Sequence, residues 1–445
     1  MELMNKEILM WTKDVAMNSV AAFKQDPKLA AAIDKLHSGI QQASLDLNAQ
    51  KSLVLPDRKL EFSEVQSLLK QSLKTHTDKP PDVLLKEAID ARKLLIKKVE
   101  DILGEINSTA EAGNIPKLTI RNQRLWSNCI YDLDRVTLKS NKDAKKTTVT
   151  YNSKEDKTRF NTIVFVLTKV HELLTKNLAV TRRELFYQNV SRLRNQANLD
   201  VAVRDVCCLL ETPPWSLGIV ATAKGLIAGP LTMHNRDGSI VDCMASGGTL
   251  IPQDINGIKE FRSTAKYILV VEKDAIFQKL LDEGALIRLG PVIIMTGKGY
   301  PDVCTRQLLC RLCSELRLRA LALVDADPHG FEIFLTYKYG SLAQSHLSTT
   351  LACSSLSLLG ARHHDVMTLA PTEARLHLTE LDKRKLNSLI RRPYLETSSG
   401  TRIKEELSTM LSSAVKAEIE AVAPTAAALC DAYLPAKLIQ AEYLG

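Results

Sequence analysis

Short apolar runs alternate with helix-like segments in the second half of the chain. Three runs, rich in aliphatic and β-branched residues, are typical of buried parallel strands: residues 267–271, 291–295 and 321–324. Two segments with helical spacing lie between them, near residues 275–283 and 301–316. This alternation predicts an α/β domain with a mostly parallel sheet over residues 240–445.

The first part of the chain is patterned mainly as helices. After Pro80, Pro81 and Asp82, a favourable helix start, apolar residues recur at helical spacing from Leu84 to Ile106. This stripe suits a helix packed on its own domain or a helix that offers its apolar side to a partner protein. Residues 110–116 have the composition of a linker. We therefore predict a divergent, mainly helical N-terminal extension over residues 1–115.

Residues 116–235 combine three helical segments with a candidate hairpin. Helical spacing over residues 160–176 is followed by T-R-R-E-L-F-Y, a helix from about Thr181, and by a third helix in V-A-V-R-D-V-C-C-L-L. The next run, W-S-L-G-I-V-A-T-A-K-G-L-I-A-G, has the β-branched residues and glycines of a β-hairpin. Three short helices and a hairpin are the order of a winged helix, which commonly lays one helix in a DNA groove. An α+β winged-helix domain is therefore predicted over residues 116–235.

The composition of the 445-residue chain is that of a globular protein with two or three domains. Hydrophobic residues make up 45% and charged residues 25%, which argues against a disordered, fibrous or membrane protein. The most apolar window, residues 215–231, is interrupted by Lys224 and Pro230 and is too short to span a bilayer. The start resembles no signal peptide, and the nine scattered cysteines suit reduced thiols. We therefore expect an intracellular protein with no membrane partner.

The net charge of +8 is concentrated in one part of the chain. Residues 117–225 hold 19 Lys and Arg against 10 Asp and Glu, a net charge of +9, which leaves 40 against 41 elsewhere. Seven of these cations lie close together in the sequence: Lys139, Lys142, Lys145, Lys146, Lys154, Lys157 and Arg159. Alone, such a run is usually a solvated surface, but a local excess of this kind also suits contacts with DNA phosphates.

Carboxylates follow two of the predicted parallel strands. Glu272 ends the first strand, and Asp325 and Asp327 end the third. Because active sites of open parallel sheets lie at the carboxyl ends of the strands, these acids are expected together, where they would repel and raise one another's pKa. Oxygen ligands in this number suit Mg²⁺, which is the predicted cofactor. The turn after the middle strand places Lys298 where a phosphate could approach.

Motifs around these strand ends resemble a known family. V-E-K-D-A-I-F, T-G-K-G-Y-P-D-V-C-T-R and D-A-D-P-H-G-F-E-I are similar to the Toprim domain found in the A subunit of topoisomerase VI and in its eukaryotic relative, the meiotic protein that makes the DNA breaks initiating recombination. Upstream, T-R-R-E-L-F-Y resembles the family's tyrosine-bearing segment, and T-A-K-G-L-I-A-G resembles its wing. The resemblance covers roughly residues 117–445 and implies a tyrosine-bearing winged helix followed by a Toprim domain.

The resemblance implies roles for individual residues. Tyr187, the last residue of T-R-R-E-L-F-Y, would be the nucleophile. Arg183, one helical turn earlier, would stabilise the developing phenolate or hold the scissile phosphate. Mg²⁺ would be held by Glu272, Asp325 and Asp327, and DNA would be contacted by Lys224 on the wing, Lys298 and Tyr300. His329 stands where the family more often has tyrosine and would add a pH-sensitive hydrogen bond.

The implied reaction is a transesterification. Tyr187 would attack a DNA phosphodiester, stay linked to the new 5′ end and release a 3′ hydroxyl without ATP or water. One tyrosine cuts one strand, so a double-strand break implies a homodimer, in which each tyrosine works beside the metal site of the other protomer. The resemblance thus implies an enzyme of the nucleus and chromosomes that initiates meiotic recombination on double-stranded DNA. Its expected partners are a topoisomerase VI B-like protein and accessory meiotic proteins.

Two alternatives stay open from the sequence. The chain would instead be a true topoisomerase VI A subunit, which cleaves and reseals DNA with an ATPase B subunit. That class of enzyme hydrolyses ATP, but this chain has no P-loop and no recognisable ATPase half. The other alternative is a non-catalytic DNA-binding relative, which the retention of Tyr187 and all three acids disfavours. The divergent first hundred or so residues favour the meiotic protein.

Overall fold

The computed structural model describes residues 81–131, 134–152, 154–441 and 443–445. The chain divides into two compact units, residues 1–84 and 85–445, and the description below concerns the second. Most of the predicted N-terminal extension lies outside the described residues. Its last part is helix α1, Pro81–Glu111, whose start agrees with the predicted one.

Helices and very short strands make up the region before residue 221. The helices are α2 (Lys154–Lys176), α3 (Arg182–Tyr187), α4 (Val190–Leu193) and α5 (Gln196–Leu210). The strands are β1 (Lys117–Arg121), β2 (Cys129–Ile130), β3 (Thr137–Leu138), β4 (Lys146–Thr150), β5 (Val180–Thr181) and β6 (Ile219–Val220). The three predicted helices correspond to α2, α3 and α5.

Strands and helices alternate through much of the remaining chain. The strands are β7 (Leu226–Ala228), β8 (Leu231–Asn235), β9 (Ile240–Asp242), β10 (Thr249–Leu250), β11 (Ile258–Ser263), β12 (Tyr267–Val271), β13 (Val292–Thr296), β14 (Arg319–Leu323), β15 (Leu356–Gly360), β16 (Leu376–His377) and β17 (Val415–Lys416). The helices are α6 (Asp274–Asp282), α7 (Ala285–Arg288), α8 (Val303–Glu315), α9 (Pro328–Lys338), α10 (Ser348–Leu351), α11 (His363–Leu369), α12 (Glu380–Ile390), α13 (Thr401–Ser413), α14 (Ile419–Val422), α15 (Ala426–Ala428) and α16 (Leu434–Gln440).

The central sheet has six strands in the order β10–β7–β13–β12–β14–β15. Strands β13, β12, β14 and β15 run parallel, while β7 and β10 run antiparallel at one side. The register pairs Tyr267 with both Val292 and Arg319, so the three predicted strands end level with one another. All residues of β13 are buried, as expected of a strand covered on both faces. The predicted mostly parallel α/β sheet is confirmed.

A separate apolar core joins α1, α2 and α5 with β1 and β4. Val99 of α1 and Ile163 of α2 are fully buried in it. The described part of the stripe, from Leu95 to Ile106, therefore packs within this chain, on the region predicted as the winged-helix domain. Leu94, outside that stripe, is 57% exposed. Among the helices of the described residues, the structure has none with the length and apolar character that crossing a bilayer requires.

The hairpin predicted within residues 215–229 does not form. Strand β6 pairs with β5 in a small parallel sheet, whereas β7 pairs with β10 and β13 of the central sheet. Gly225 and Gly229 do not form a hairpin turn but allow atoms of β13 and α8 to lie close to the backbone. A Cβ on Gly225 would clash with Thr305 Oγ1, and a Cβ on Gly229 would lie 3.0 Å from the Cα of Ile293. The winged-helix domain thus stays a prediction, without the hairpin that was expected as its wing.

Candidate active site

Three acids meet at the carboxyl edge of the central sheet, and we call them the acidic edge: Glu272, Asp325 and Asp327. Glu272 directly follows β12, Asp325 follows β14, and Asp327 is the residue that caps the start of α9. The Asp325 N–H donates to Glu272 Oε2 at 3.0 Å, and the Gly330 N–H donates to Asp327 Oδ1 at 2.7 Å. The level ends of β12 and β14 therefore bring Glu272 and Asp325 into contact, and Asp327 lies close enough for its charge to raise the pKa of Glu272.

Glycine is needed at position 330 because α9 begins so close to these acids. A Cβ there would lie 2.9 Å from Glu272 Oε2 and would also clash with the backbone of Asp325. The pattern D-x-D-P-x-G thus supplies a capping carboxylate, a proline in the first turn and room for the neighbouring strand end. The local sequence in this way fixes where α9 starts relative to the acidic edge.

Asp325 is the most firmly held of the three acids. Its side chain is only 8% exposed, and its Oδ2 lies 3.0 Å from Lys273 Nζ. Its Oδ1 accepts a hydrogen bond from the Ile419 N–H at 2.9 Å. Ile419 reaches this position because Ala417 forms an antiparallel bridge with Ala326. A segment near the end of the chain therefore closes over the acidic edge.

Lys273 is a member of the site that sequence reasoning missed. Its Nζ lies 3.0 Å from Asp325, 3.1 Å from Glu418 and 3.3 Å from Glu420. Although burial alone would lower it, these carboxylates raise the pKa of Lys273 above its ordinary value. Two features of the sequence could have indicated its role. Lys273 directly follows Glu272, and the segment K-A-E-I-E contains its partners Glu418 and Glu420.

The acidic edge is electrostatically strained. Burial, together with the charges of Asp325 and Asp327, raises the pKa of Glu272 to about 7. Burial also raises the pKa of Asp325, although Lys273 and the Ile419 N–H oppose that rise. The negative charge gathered here is therefore only partly compensated by Lys273.

The donors of the acidic edge fit a divalent cation in type and charge. They are all carboxylate oxygens, the ligands that Mg²⁺ prefers. Glu272 Oε1 and Asp327 Oδ2 accept no hydrogen bond from any described residue, so both remain available as ligands. In the part of the chain that the structure describes, no three His, Cys, Asp or Glu side chains already converge as a metal site. A bound cation would lower the strained pKa of Glu272.

Lys224 and Lys298 lie side by side at the turn after β13. Lys224 Nζ donates to the carbonyl oxygen of Lys298 at 3.1 Å, and its N–H donates to Asp302 Oδ2 at 3.0 Å. Lys298 Nζ lies 3.0 Å from Asp274 Oδ2. Lys224 was expected on a wing, and this placement is wrong because the hairpin does not form. The structure instead brings the two predicted DNA-contacting lysines together beside the central sheet.

Tyr300 lies in a network of charged groups between α9 and α12. Its hydroxyl donates to Glu332 Oε2 at 2.5 Å, and His329 Nδ1 lies 3.2 Å from the same hydroxyl. Lys385 and Arg392 both form ion pairs with Glu332. Although burial would raise it, the contacts with Lys385, Tyr300 and Arg392 lower the pKa of Glu332 to about 2. The ring of Tyr300 is held in place but remains 43% exposed.

Helix α3 presents Tyr187 and Arg183 to solvent. Thr181 and Glu184 form a capping box at its start, which fixes the beginning of this short helix. Tyr187 is 71% exposed, and Arg183 is also exposed. Among the described residues, neither side chain has a hydrogen-bond or ion-pair partner, so a surface salt bridge of Arg183 is not observed.

The nucleophile candidate and the acidic edge do not meet within one chain. No hydrogen bond, ion pair or ring contact between described residues joins Tyr187 or Arg183 to Glu272, Asp325 or Asp327. Tyr187 contacts Phe186, with ring centroids 5.7 Å apart. The structure thus brings together the three acids with Lys224, Lys298 and Tyr300 around one sheet, and it leaves α3 apart from them.

Comparisons with known proteins match both regions. Residues 267–438 match the family model for the Toprim domain of Spo11 and the topoisomerase 6 A subunit, and residues 158–219 match the model described as Type IIB DNA topoisomerase. The meiotic recombination protein SPO11 of Mus musculus is 35% identical over 347 residues, covering 77% of this chain and 87% of that protein. The chain belongs to the Spo11/topoisomerase VI A-subunit family.

Other members of the Spo11/topoisomerase VI A-subunit family are similar to this chain at comparable levels. The meiotic recombination protein W68 of Drosophila melanogaster is 36% identical over 294 residues, covering 65% of this chain and 86% of that protein. The DNA topoisomerase 6 A subunit of Arabidopsis thaliana is 34% identical over 354 residues, covering 78% of this chain and 81% of that protein. The family predicted from the sequence is confirmed.

Membership in the Spo11/topoisomerase VI A-subunit family identifies the half of the chain that carries the acidic edge. The matched residues 267–438 include Glu272, Asp325 and Asp327, so these acids lie in a Toprim domain, a fold that typically binds a divalent metal. The type IIB match includes α3 and therefore Tyr187. The roles of individual residues stay predictions.

Proposed function

We propose that this chain makes the DNA double-strand breaks that initiate meiotic recombination, by a Mg²⁺-dependent transesterification in which Tyr187 becomes linked to the 5′ DNA end. The observation that carries the proposal is the 71% exposure of Tyr187 on α3, within the region that matches the type IIB topoisomerase model. An exposed, unpartnered phenol on a short, firmly capped helix suits attack on a large substrate. A core tyrosine at helical spacing, the alternative explanation, would be buried.

The chemical step assigns separate tasks to the side chains of α3. The Tyr187 oxygen forms a bond to phosphorus while the bond from phosphorus to the 3′ oxygen breaks. The phenol loses its proton, and the leaving 3′ oxygen gains one to become a hydroxyl. Arg183 lies four residues before Tyr187 and so shares its helix face. Its guanidinium would grip the scissile phosphate and favour the phenolate as the phenol loses its proton.

The acidic edge would hold the metal ion. Mg²⁺ bound by Glu272, Asp325 and Asp327 would stabilise negative charge on the transferring phosphoryl group and on the 3′ oxygen. Lys273 would orient Asp325 and favour its ionised form against the effect of burial, since its Nζ lies 3.0 Å from that carboxylate. Lys224 and Lys298 would contact the DNA backbone beside this edge, and the exposed ring of Tyr300 would pack on a sugar or base.

A homodimer would complete the active site. Because no contact among the described residues joins α3 to the acidic edge of the same chain, we assign the metal site used by each Tyr187 to the other protomer. Two tyrosines then cut the two strands of one duplex. A single chain would lack a complete site, which would protect DNA from isolated nicks.

A second candidate function is that of a true topoisomerase VI A subunit. It is favoured by the 34% identity to the DNA topoisomerase 6 A subunit of Arabidopsis thaliana and the 37% identity to the A3 subunit of Oryza sativa subsp. indica. In that case an ATP-hydrolysing B subunit would support passage and resealing of duplexes. In the meiotic function, a topoisomerase VI B-like protein and accessory meiotic proteins would act with this chain on chromosomes in the nucleus.

The decisive experiment compares the wild type with Tyr187→Phe in germ cells. We expect covalent protein at 5′ DNA ends in the wild type and none in the variant, because phenylalanine lacks the attacking oxygen. Folding should be unaffected, since the Tyr187 hydroxyl bonds to no described residue and the ring is mostly exposed. Persistence of adducts and breaks in a stably folded variant would refute the nucleophile assignment.

The two candidate functions differ in what they require for DNA joining. A purified complex that decatenates circular DNA when ATP is hydrolysed by its partner would favour the topoisomerase. A complex that leaves covalently blocked ends and no resealed product would favour the meiotic enzyme. Tyr187→Phe should abolish either activity, so it serves as the control in both assays.

A further inference from the structure

Five arginines surround two adjoining cavities on the side of α5 that faces residues 342–347, and we call them the arginine seam: Arg121, Arg124, Arg159, Arg182 and Arg204. One cavity, of about 320 Å³, is lined by four of them and by Ala343. The other, of about 350 Å³, is lined by Arg182, Arg204 and His346. Arg204 and Ala343 line both, so the two cavities adjoin each other, and we call the pair the cleft.

Positive charge in the arginine seam is incompletely balanced. Arg159 is paired with Asp205 through two nitrogens, each 2.9 Å from the carboxylate. Two further ion pairs are longer: Arg121 lies 3.4 Å from Glu211, and Arg182 lies 3.6 Å from Asp200. The guanidinium groups of Arg124 and Arg204, in contrast, have no hydrogen bond or ion pair with any described residue. The cleft therefore contains guanidinium groups that form no ion pair with a described carboxylate.

Buried polar atoms in the same walls also lack partners among the described residues. They are Arg121 Nε, Gln123 Oε1, Arg182 Nε and His346 Nδ1. Leaving one such group unpaired costs about 1–3 kcal/mol, so the site is built for a polar occupant. Burial and the charges of Arg121, Arg204 and Arg182 lower the pKa of His346 to about 4, which is further evidence of a positive potential inside the cleft.

We propose that the arginine seam binds the phosphate group of a ligand about the size of a mononucleotide. Guanidinium forks match phosphate oxygens in geometry as well as charge. Cavities of about 320 and 350 Å³ admit a phosphate with one sugar and base but exclude a DNA duplex. None of the five arginines belongs to the acidic edge or is given a part in the cleavage step.

A ligand in this cleft would connect the two parts of the cleavage machinery. Arg182 is the first residue of α3 and directly precedes Arg183, whereas His346 follows α9 in the Toprim half. A phosphate held by Arg182 and Arg204 against residues 343–346 would restrict how α3 moves relative to that half. Binding would thus stabilise the protein by linkage and would set the position from which Tyr187 is presented.

Calorimetric titration of the full chain with AMP, at constant ionic strength, tests the proposal. We expect saturable binding to the wild type, weakened at least tenfold by Arg204→Gln and by Arg124→Gln. Arg124 is exposed, so its substitution should leave the fold intact. Arg236→Gln removes an exposed arginine elsewhere and should bind AMP like the wild type. Hydrogen exchange at residues 342–347 should slow when AMP binds.

Competition identifies the source of the phosphate. If a 5′-phosphorylated single strand displaces AMP, the natural ligand is a DNA end, and if it does not, the ligand is a free nucleotide-like molecule. Absence of saturable AMP binding to the wild type would overturn the proposal. Equal affinity in the wild type, a folded Arg124→Gln variant and Arg236→Gln would also overturn it, because the arginine seam would then have no part in binding.

Discussion

At the acidic edge, each proposed metal ligand accepts a backbone hydrogen bond, whereas Tyr187 and Arg183 extend from α3 into solvent. The acids are buried or half-buried and repel one another, and burial together with that repulsion raises the pKa of Glu272 to about 7. The side chains of Tyr187 and Arg183, in contrast, make no hydrogen bond or ion pair with described residues. One region is thus organised before substrate arrives, and in the proposed function the other would gain its partners from DNA and a second protomer.

This difference indicates which region lowers the stability of the free protein and how DNA cleavage would be controlled. A preformed acidic edge needs no rearrangement when it meets a developing charge, but it lowers the stability of the free protein. An exposed tyrosine costs little stability, and a neutral phenol is a poor nucleophile until a proton acceptor or a positive charge is brought beside it. Control of cleavage would therefore lie in bringing the two regions together.

The largest effect is expected for Glu272→Gln. Cleavage should fall by about 10³-fold or more, because the substitution would remove a proposed ligand of the metal ion. In metal-free protein at pH 8, the same substitution should raise the free energy of unfolding by about 1 kcal/mol, because it removes one repelling carboxylate. Chemical denaturation and a plasmid cleavage assay measure the two effects.

Glu405→Gln is the matched control for that substitution. Glu405 is exposed on α13 and outside the acidic edge, so neither cleavage nor stability should change. A Glu272→Gln variant that is clearly less stable than the metal-free wild type would show that the acids of this edge do not repel one another.

Arg183→Ala should have the next largest effect, again on cleavage. We expect a loss of about 10²-fold with an unchanged unfolding temperature, since the side chain is exposed and has no hydrogen-bond or ion-pair partner among the described residues. Arg183→Lys should recover only part of the activity, because the ammonium lacks the fork that grips phosphate. Arg236→Ala, which also removes an exposed arginine, should retain full activity. Full activity of Arg183→Ala would contradict a role beside Tyr187.

The acidic edge was predictable because its position follows from local rules. Glu272 and Asp325 come directly after apolar runs, and parallel strands in register bring such ends together. The pairing of Asp325 with Ile419 was not predictable, since it joins residues 94 positions apart through the bridge between Ala326 and Ala417. Lys273 was missed for the same reason, because two of its carboxylate partners, Glu418 and Glu420, come from that distant segment.

The hairpin that does not form shows a second limit of predicting structure from one sequence. Gly225 and Gly229 flank a short apolar run, a pattern that predicts a turn and strand when only neighbours are considered. Their function here depends on the packing of β7 against β13 and α8, where a side chain at either position would clash with atoms of the neighbouring elements. A glycine needed for a turn and a glycine needed for close approach have the same appearance in one sequence. The displaced position of Lys224 follows from this ambiguity.

A third prediction contrasts two acids of the Toprim half. Burial and repulsion raise the pKa of Glu272, whereas Lys385, Tyr300 and Arg392 lower the pKa of Glu332 to about 2 despite its burial. A carboxyl whose folded-state pKa is depressed contributes stability above its unfolded pKa, near 4.3, and this contribution is lost as pH falls towards 2.

Glu332→Gln should therefore cost about 2 kcal/mol of unfolding free energy at pH 7, and the difference from the wild type should shrink below pH 4.3. Denaturation curves at several pH values measure this difference. Glu405→Gln should show a small difference that changes little with pH. A constant deficit of Glu332→Gln between pH 7 and pH 3 would mean that packing, and not the ion pairs, sets its effect.

The smallest effect concerns the basic run from Lys139 to Arg159. Two of its cations already have partners within the chain. Arg159 is paired with Asp205, and the Lys157 Nζ lies 5.1 Å from the centre of the Tyr151 ring. Lys142, Lys145 and Lys146 are exposed, so these three remain as candidates for phosphate contacts.

Replacing these three lysines together by glutamine should flatten the salt dependence of DNA binding and leave the metal dependence of cleavage unchanged. Each lost phosphate contact lowers the slope of log K against log salt by about 0.9, so a reduction of up to about 2.7 is expected. Lys259, Lys266 and Lys279 provide the matched triple variant, since they are also exposed but lie within or just before the residues that match the Toprim model. An equal reduction of the slope in both variants would mean that only the net charge of the protein matters. A reduction confined to the first variant would indicate that the DNA lies beside β4.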